Sequence, residues 1–326
     1  MPPIAIFAYN RPNHLKLALE AVERSEKHMG STFPIYIFCD APKKQEHAEA
    51  VERTREVAAA FTGAKVICRP HNYGFRNITE GISELTDTFG EVIVVEDDVV
   101  VAPDFLRFMV EGLRRYASNP QVFMVSGFMY FGSQPQKPET FFLPSSFIWG
   151  WATWKRAWEH FTYEPKGVEA FLQNREERYR FDYFGALPFS KMLEKTIKGQ
   201  WVTWDTQWMF TLFQQKGLAL YPHRSLVWNS GVGGGTHGHA GSIDQDPLLG
   251  EREYYIHGNL SIRDFQHPRL KWPLQFPDRV QADEKAMRLL ACTFLQERLR
   301  KKWRLKLAWR WLSLWFQSLF TKRPGL

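Results

Sequence analysis

One stretch constrains this chain more than any other: Glu91-Val92-Ile93-Val94-Val95-Glu96-Asp97-Asp98-Val99-Val100-Val101-Ala102-Pro103-Asp104-Phe105. An apolar run without alternation reads as a strand buried on both faces, in a parallel sheet covered by helices. Glu96, Asp97 and Asp98 then sit at its carboxyl end, where open α/β sheets hold their ligands. Three adjacent carboxylates repel one another and lose hydration, so a cation or hydrogen-bond donors must offset them. A hard divalent ion, Mg²⁺ or Mn²⁺, suits oxygen ligands and takes its remaining ligands from water and substrate phosphates. The competing reading has acids that merely face solvent and cap the next helix. Asp104 fits that reading, since Pro103-Asp104-Phe105 opens a helical pattern through Phe108, Met109 and Leu113.

The preceding segments repeat one unit. Residues 4 to 9 form a first strand that delivers Asn10 and Arg11 to the same edge as the acids, and Pro12 opens an amphipathic helix. Residues 33 to 40 form a second strand ending in Asp40, a candidate for a base or ribose contact and equally for a turn or helix-cap aspartate. A third strand, 64 to 69, leads through the loop 70 to 77 into a helix containing Ile78, Ile82 and Leu85. Strands and helices alternating in this way predict parallel βαβ units and a doubly wound sheet. Neither Gly-x-Gly-x-x-Gly nor Gly-x-x-x-x-Gly-Lys-Ser/Thr occurs, so dinucleotide and P-loop chemistry are not supported. Phosphate charge would instead be met by a metal on Asp98 with help from Arg11 and Arg76.

Beyond residue 121 the texture changes. Residues 122 to 127 read as one more strand, and tryptophans follow at 149, 151, 154 and 158. Most of these read as core, with one or two available to face a sugar ring. Residues 201 to 210 begin a helix with Asp205 among large apolar neighbours, where a partly desolvated carboxylate suits a general base; a helix N-terminal aspartate is the alternative. Residues 220 to 241 are glycine-rich and lack apolar periodicity. They read as a loop able to close over a nucleotide sugar, with His237 reaching phosphate or metal, or as a plain connection. His237 and His239 alone do not make a zinc site.

A chain of 326 residues with 44% hydrophobic residues can bury one large core and leave room for a smaller subdomain. The expected parts are residues 1–130 for nucleotide-sugar binding, 131–245 for acceptor and catalysis, and 246–326 as a C-terminal extension. Cys39, Cys68 and Cys292 have no metal-type spacing and read as reduced core residues of a reducing compartment. With the first strand starting near residue 3, the chain begins as a cytosolic domain does. Net charge is +7, from 42 basic and 35 acidic residues, which points to anionic partners: nucleotide, polysaccharide phosphate or a membrane surface. Nucleic acid is not among the expected partners. Residues 299 to 323 mix Lys and Arg with Trp, Leu and Phe, too charged to span a bilayer but suited to lie in the interface of an anionic leaflet.

Taken together, several motifs carry a resemblance. They are Asn10-Arg11-Pro12, the strand ending in Asp40, Glu96-Asp97-Asp98 with its Ala102-Pro103-Asp104-Phe105 tail, Gly150-Trp151, Trp204-Asp205-x-x-Trp208 and the run from Ser230 to Gly238. Over roughly residues 3 to 240 the chain resembles the GT-A glycosyltransferases of the N-acetylglucosaminyltransferase I type and, more distantly, family 2 enzymes. The resemblance implies a mixed, mainly parallel sheet flanked by helices, with the C-terminal helical part added. It also implies inverting transfer of a sugar such as GlcNAc from a UDP-sugar to a saccharide or lipid-linked saccharide. Asp98 would hold the metal, Glu96 and Asp97 would contact sugar and ribose, Asp40 would hold the uracil, Arg11 would lie close to the nucleotide, and Asp205 would be the base. Against that family, the chain reads as lacking the stalk of Golgi members and as adding a basic C-terminal helix. It therefore reads as a cytosolic enzyme peripheral on the inner face of a bacterial membrane. The rival classes are a sugar nucleotidyltransferase and a non-catalytic carbohydrate-binding or membrane scaffold on the same fold.

Overall fold

Four short apolar strands, β1 (Ile4–Ala8), β2 (Ile35–Cys39), β3 (Ala64–Cys68) and β4 (Glu91–Glu96), lie parallel in the spatial order β3-β2-β1-β4. The computed structural model describes residues 1–130, 139–231, 262–301 and 305–321. Between these strands run α1 (Pro12–Met29), α2 (Ala48–Ala60) and α3 (Phe75–Phe89). Pro12 occupies the first turn of α1, where a missing N–H costs nothing. Next come β5 (Val99–Val101), α4 (Phe105–Tyr116), β6 (Val122–Ser126), β7 (Thr140–Leu143) and β8 (Trp151–Trp154). They are followed by α5 (Lys155–Trp158), α6 (Val168–Gln173), α7 (Arg175–Phe181), α8 (Phe189–Ile197), α9 (Asp205–Gln214), β9 (Leu218–Pro222) and β10 (Val227–Asn229).

The large sheet has the order β3-β2-β1-β4-β8-β6-β9-β7. β9 is parallel to β6, whereas β8 and β7 run antiparallel to their neighbours. The expected α/β class, a mixed and mainly parallel sheet flanked by helices, is what the chain forms. Helix α1 packs with α2 and α4, and α3 packs with α5. Close approach is built in at Gly81 of α3, where a Cβ would stand 2.6 Å from the Phe7 ring of β1. β8 lies between β4 and β6, so strands from either side of residue 130 share one sheet.

Strand β4 ends at the acids, as expected, and the apolar residues after them form β5 in a separate two-stranded sheet with β10. Two carboxylates in succession would have to enter an interior buried on both faces if the strand ran on. Two expectations need correction. The run 220 to 241 is not all loop, because Leu218–Pro222 and Val227–Asn229 are strands and the glycines begin only at Gly231. Cys68 is exposed, since β3 is the sheet's edge strand, while Cys39 and Cys292 are buried.

Trp151, Trp154 and Trp158 are core, and Trp149 is half-buried against Phe128. The C-terminal stretch is two helices, α10 (Glu284–Lys301) and α11 (Leu305–Phe320), with α11 packed along α10. The segment entering α10 joins the edge of β7: Ala282 bridges Phe142, and the Asp283 N–H donates to the Phe142 carbonyl at 2.8 Å. Asp283 also accepts the Ala286 N–H at 2.8 Å, capping the helix.

Candidate active site

The chain turns at the carboxyl end of β4, and this turn gathers the acids. Arg11, in the β1–α1 connection, donates from Nη1 to Asp98 Oδ2 at 2.7 Å and stands 3.8 Å from Asp97 Oδ1. The Tyr9 backbone N–H donates to Asp97 Oδ2 at 3.1 Å, and the Asp97 N–H donates to the Phe7 carbonyl at 2.9 Å, continuing the β1–β4 ladder. Parallel pairing of β1 with β4 is what brings the two strand ends together.

One guanidinium faces three carboxylates. Burial pushes the Glu96 carboxyl up to about 8, reinforced by Asp98, Asp97 and Asp205 and only partly offset by Arg11. Burial likewise pushes Asp97 up to about 7, with Asp98 adding to it and Arg11 and the Tyr9 N–H opposing it. Among the described residues the desolvated cluster has one counter-charge for three acids, which favours taking up a proton or a cation.

Asp205 is the first residue of α9, half-buried, and accepts hydrogen bonds from the Thr203 hydroxyl and, at 2.8 Å, from the Thr206 N–H. Its carboxylate is among those that raise Glu96, so the start of α9 lies within electrostatic reach of the end of β4. Asn10 is half-buried in the turn between β1 and α1. Glu96, Asp97, Asp98, Arg11 and Asp205 therefore come together.

Arg76 does not join them. It lies at the start of α3 with its side chain 68% exposed, 3.7 Å from Glu80 and over the Tyr163 ring. A neighbour of opposite charge one helical turn along holds it on the surface. Asp40 is buried, and its oxygens accept from the backbone N–H groups of Ala41 (2.9 Å), Tyr73 (2.8 Å) and Gly74 (2.8 Å) and from the Asn72 amide (3.0 Å). A carboxylate has about four acceptor sites, so Asp40 clamps the loop 72–74 and is left no site for a nucleobase. Asp104 does not cap α4 with its side chain; it accepts from the backbone N–H groups of Arg269 (3.0 Å) and Leu270 (2.6 Å). His237, and most of the run from Ser230 to His239, lie outside the described residues.

His14, missed by the sequence reading, and Ser230 and Gly231, which open the run named above, complete the site. The Ser230 N–H and hydroxyl both donate to the Asp98 carbonyl, at 2.7 and 3.0 Å, and His14 Nδ1 lies 2.8 Å from the Ser230 hydroxyl. Burial lowers the His14 imidazole, Arg11 lowers it further and Asp98 opposes them. Gly231 is pressed against the acids: a Cβ there would stand 2.3 Å from Asp98 Oδ2 and 2.9 Å from Arg11 Nη1. The signal available in sequence was a polar His14 two residues into a helix that follows a strand-end arginine.

Among the described residues, no three His, Cys, Asp or Glu side chains converge on one point. A cation cage made only of protein is therefore not formed by them. The donor set fits an ion held by one or two carboxylates and completed by phosphate oxygens, because the acids outnumber their counter-charge.

No protein-family model matches the chain, and no curated protein matches it in sequence. Similar solved structures include residues 1–349 of TarS from S. aureus, at 10% identity over 98% of this chain and 80% of that one, with a TM-score of 0.39. GalNAc-T7 with UDP, GalNAc and Mn²⁺ is similar at 10% identity over 68% of this chain and 42% of that one, TM-score 0.39. 4-Diphosphocytidyl-2C-methyl-D-erythritol synthase from Anaerococcus prevotii is similar at 10% identity over 70% and 93%, TM-score 0.35. At these identities and scores they assign no family, activity or substrate to this chain.

Proposed function

We propose that the chain is a GT-A-type glycosyltransferase that moves a sugar, GlcNAc or another hexose, from a UDP-sugar to a saccharide or lipid-linked saccharide acceptor, with inversion. The observation that carries this reading is the excess of carboxylate at the end of β4, held by Arg11 and faced by Asp205 at the start of α9. Asp98 would hold Mn²⁺ or Mg²⁺, which when bound supplies charge neutralisation to the diphosphate. Arg11 adds a fixed positive charge beside the same phosphates. Glu96 and Asp97 accept from donor hydroxyls, and Asn10 borders the nucleotide. Asp205, oriented by Thr203 and the Thr206 N–H, takes the acceptor hydroxyl proton as that oxygen attacks the anomeric carbon and the bond to the diphosphate oxygen breaks. We place the enzyme at the inner face of a membrane as a peripheral protein.

The test is calorimetric titration of the full chain with UDP-, GDP-, TDP- and CMP-sugars, with and without Mn²⁺, followed by turnover with the donor that binds. Metal-dependent binding of one donor is expected. Asp98→Ala should lose metal-dependent turnover, and Asp205→Asn should lower kcat by roughly a hundredfold or more while donor affinity stays nearly unchanged. Full activity in Asp205→Asn would remove it as the base. Release of pyrophosphate from a nucleoside triphosphate and a sugar phosphate would instead make the chain a nucleotidyltransferase. Failure of every donor to bind would leave the non-catalytic scaffold.

A further inference from the structure

Helix α11 is apolar on two sides, separated along one flank by the polar positions 306, 310, 313 and 317, and only one of the apolar sides is covered. Leu314 and Ser318 are 2% exposed, and Leu307 and Trp311 are packed against the core. Cys292 of α10 lies 3.8 Å from the Trp311 carbonyl, and Arg310 donates to the Gly185 carbonyl at 3.2 Å. The helix is thus seated on the domain by that side. On the other side Trp309 is 71% exposed, Phe316 59%, Leu319 53% and Phe320 71%, with Leu312 and Trp315 also open. Steps of three and four residues put these six on one stripe. They are half of all the large apolar side chains exposed among the described residues, gathered on a single 16-residue helix.

An apolar stripe needs an occupant, and charge selects it. Residues 299 to 323 carry eight Lys and Arg and no Asp or Glu. A second copy docked stripe to stripe would bring two such segments together, like charge against like, whereas an anionic surface would be attracted. The helix is about 24 Å long, shorter than the roughly 30 Å hydrocarbon core. No described helix is long and apolar enough to cross a membrane. Tryptophan and phenylalanine on the open side, with cations at both ends, match a helix lying in the plane of the headgroup boundary.

We propose that the open face of α11, built on Trp309, Leu312, Phe316, Leu319 and Phe320, is a docking surface for an anionic phospholipid bilayer. The bilayer receives the apolar stripe at the base of its headgroups, and the positive charge of the segment 299 to 323 favours an anionic one. The surface is independent of the acid cluster, so it stands whether or not the transferase reading does.

Flotation of the full chain with vesicles tests it, using phosphatidylcholine alone and phosphatidylcholine with about a third phosphatidylglycerol. Binding to the anionic vesicles, weakened by high salt, is expected. A Trp309→Ser/Phe316→Ser/Phe320→Ser chain should bind them roughly tenfold or more weakly, with its circular dichroism and Tm unchanged because these side chains are exposed. Phe320→Glu alone, at the helix end, should weaken binding through repulsion and serves if the triple variant folds poorly. Absence of wild-type binding, equal binding by the folded variants, or a wild-type dimer that the substitutions convert to monomer would overturn the proposal.

Discussion

At the scale of single residues the site is a problem of charge. In the folded chain Glu96 and Asp97 keep their protons up to about 8 and about 7, whereas in the unfolded chain they release them near pH 4. The folded state therefore binds more protons across that window, and the stability tied to these protons is lost as pH rises through it. In chelator, Tm should fall between about pH 5 and about pH 8.5, and Asp97→Asn should make that fall shallower. Added Mn²⁺ should raise Tm more at the alkaline end, where the carboxylates are charged. A flat Tm profile in chelator, or an unchanged slope in Asp97→Asn, would show that the cluster does not titrate this way. Gly231→Ala forces a methyl into Asp98 and Arg11, so it should lower donor affinity more than global stability, read by calorimetry against thermal unfolding. The meeting of Arg11 with Asp97 and Asp98 was legible because adjacent parallel strands deliver their ends to one edge. What Asp40 binds was not legible, since its donors come from a loop more than thirty residues later. Nor was the pairing of His14 with Ser230, 216 residues away, which only the folded sheet creates.

At the scale of elements, the segments that surround the acids are tied by buried backbone contacts. Asp104, fully buried, receives the N–H groups of Arg269 and Leu270 and so fastens the start of α4 to the chain beyond residue 261. Burial raises this carboxyl, and those two N–H groups oppose the rise. Asp104→Ala would leave both donors without a partner and should cost about 3 kcal/mol in chemical denaturation; a loss below about 1 kcal/mol would mean that water reaches them. Most element types were legible from period and length: the first three βαβ units match their apolar runs closely. Their ends and breaks were less so. The division of 91–101 into β4 and β5 depends on β10 being available to pair with Val99–Val101, and β10 comes more than 120 residues later in the chain. Similarly, 299 to 323 reads as one amphipathic stretch because its apolar period does not mark where α10 ends and α11 begins.

At the scale of the molecule, one sheet runs from β3 to β7 and puts the acid turn near its middle, beyond β1 and β4. The two ends of that sheet are treated differently. Among the described residues β3 is an edge strand, carrying Lys65 and the exposed Cys68, a charged border of the kind that discourages further strand pairing. β7 is short and leans on the segment leading into α10: Ala282 and Asp283 pair with Phe142, and Thr140 donates its hydroxyl to the Gln275 carbonyl at 2.7 Å. The C-terminal region is therefore a guard for the sheet as well as a surface of its own. A chain cut before residue 275 to remove α11 would bare a strand edge and invite aggregation, so a loss of activity in that fragment would report on solubility and not on anchoring.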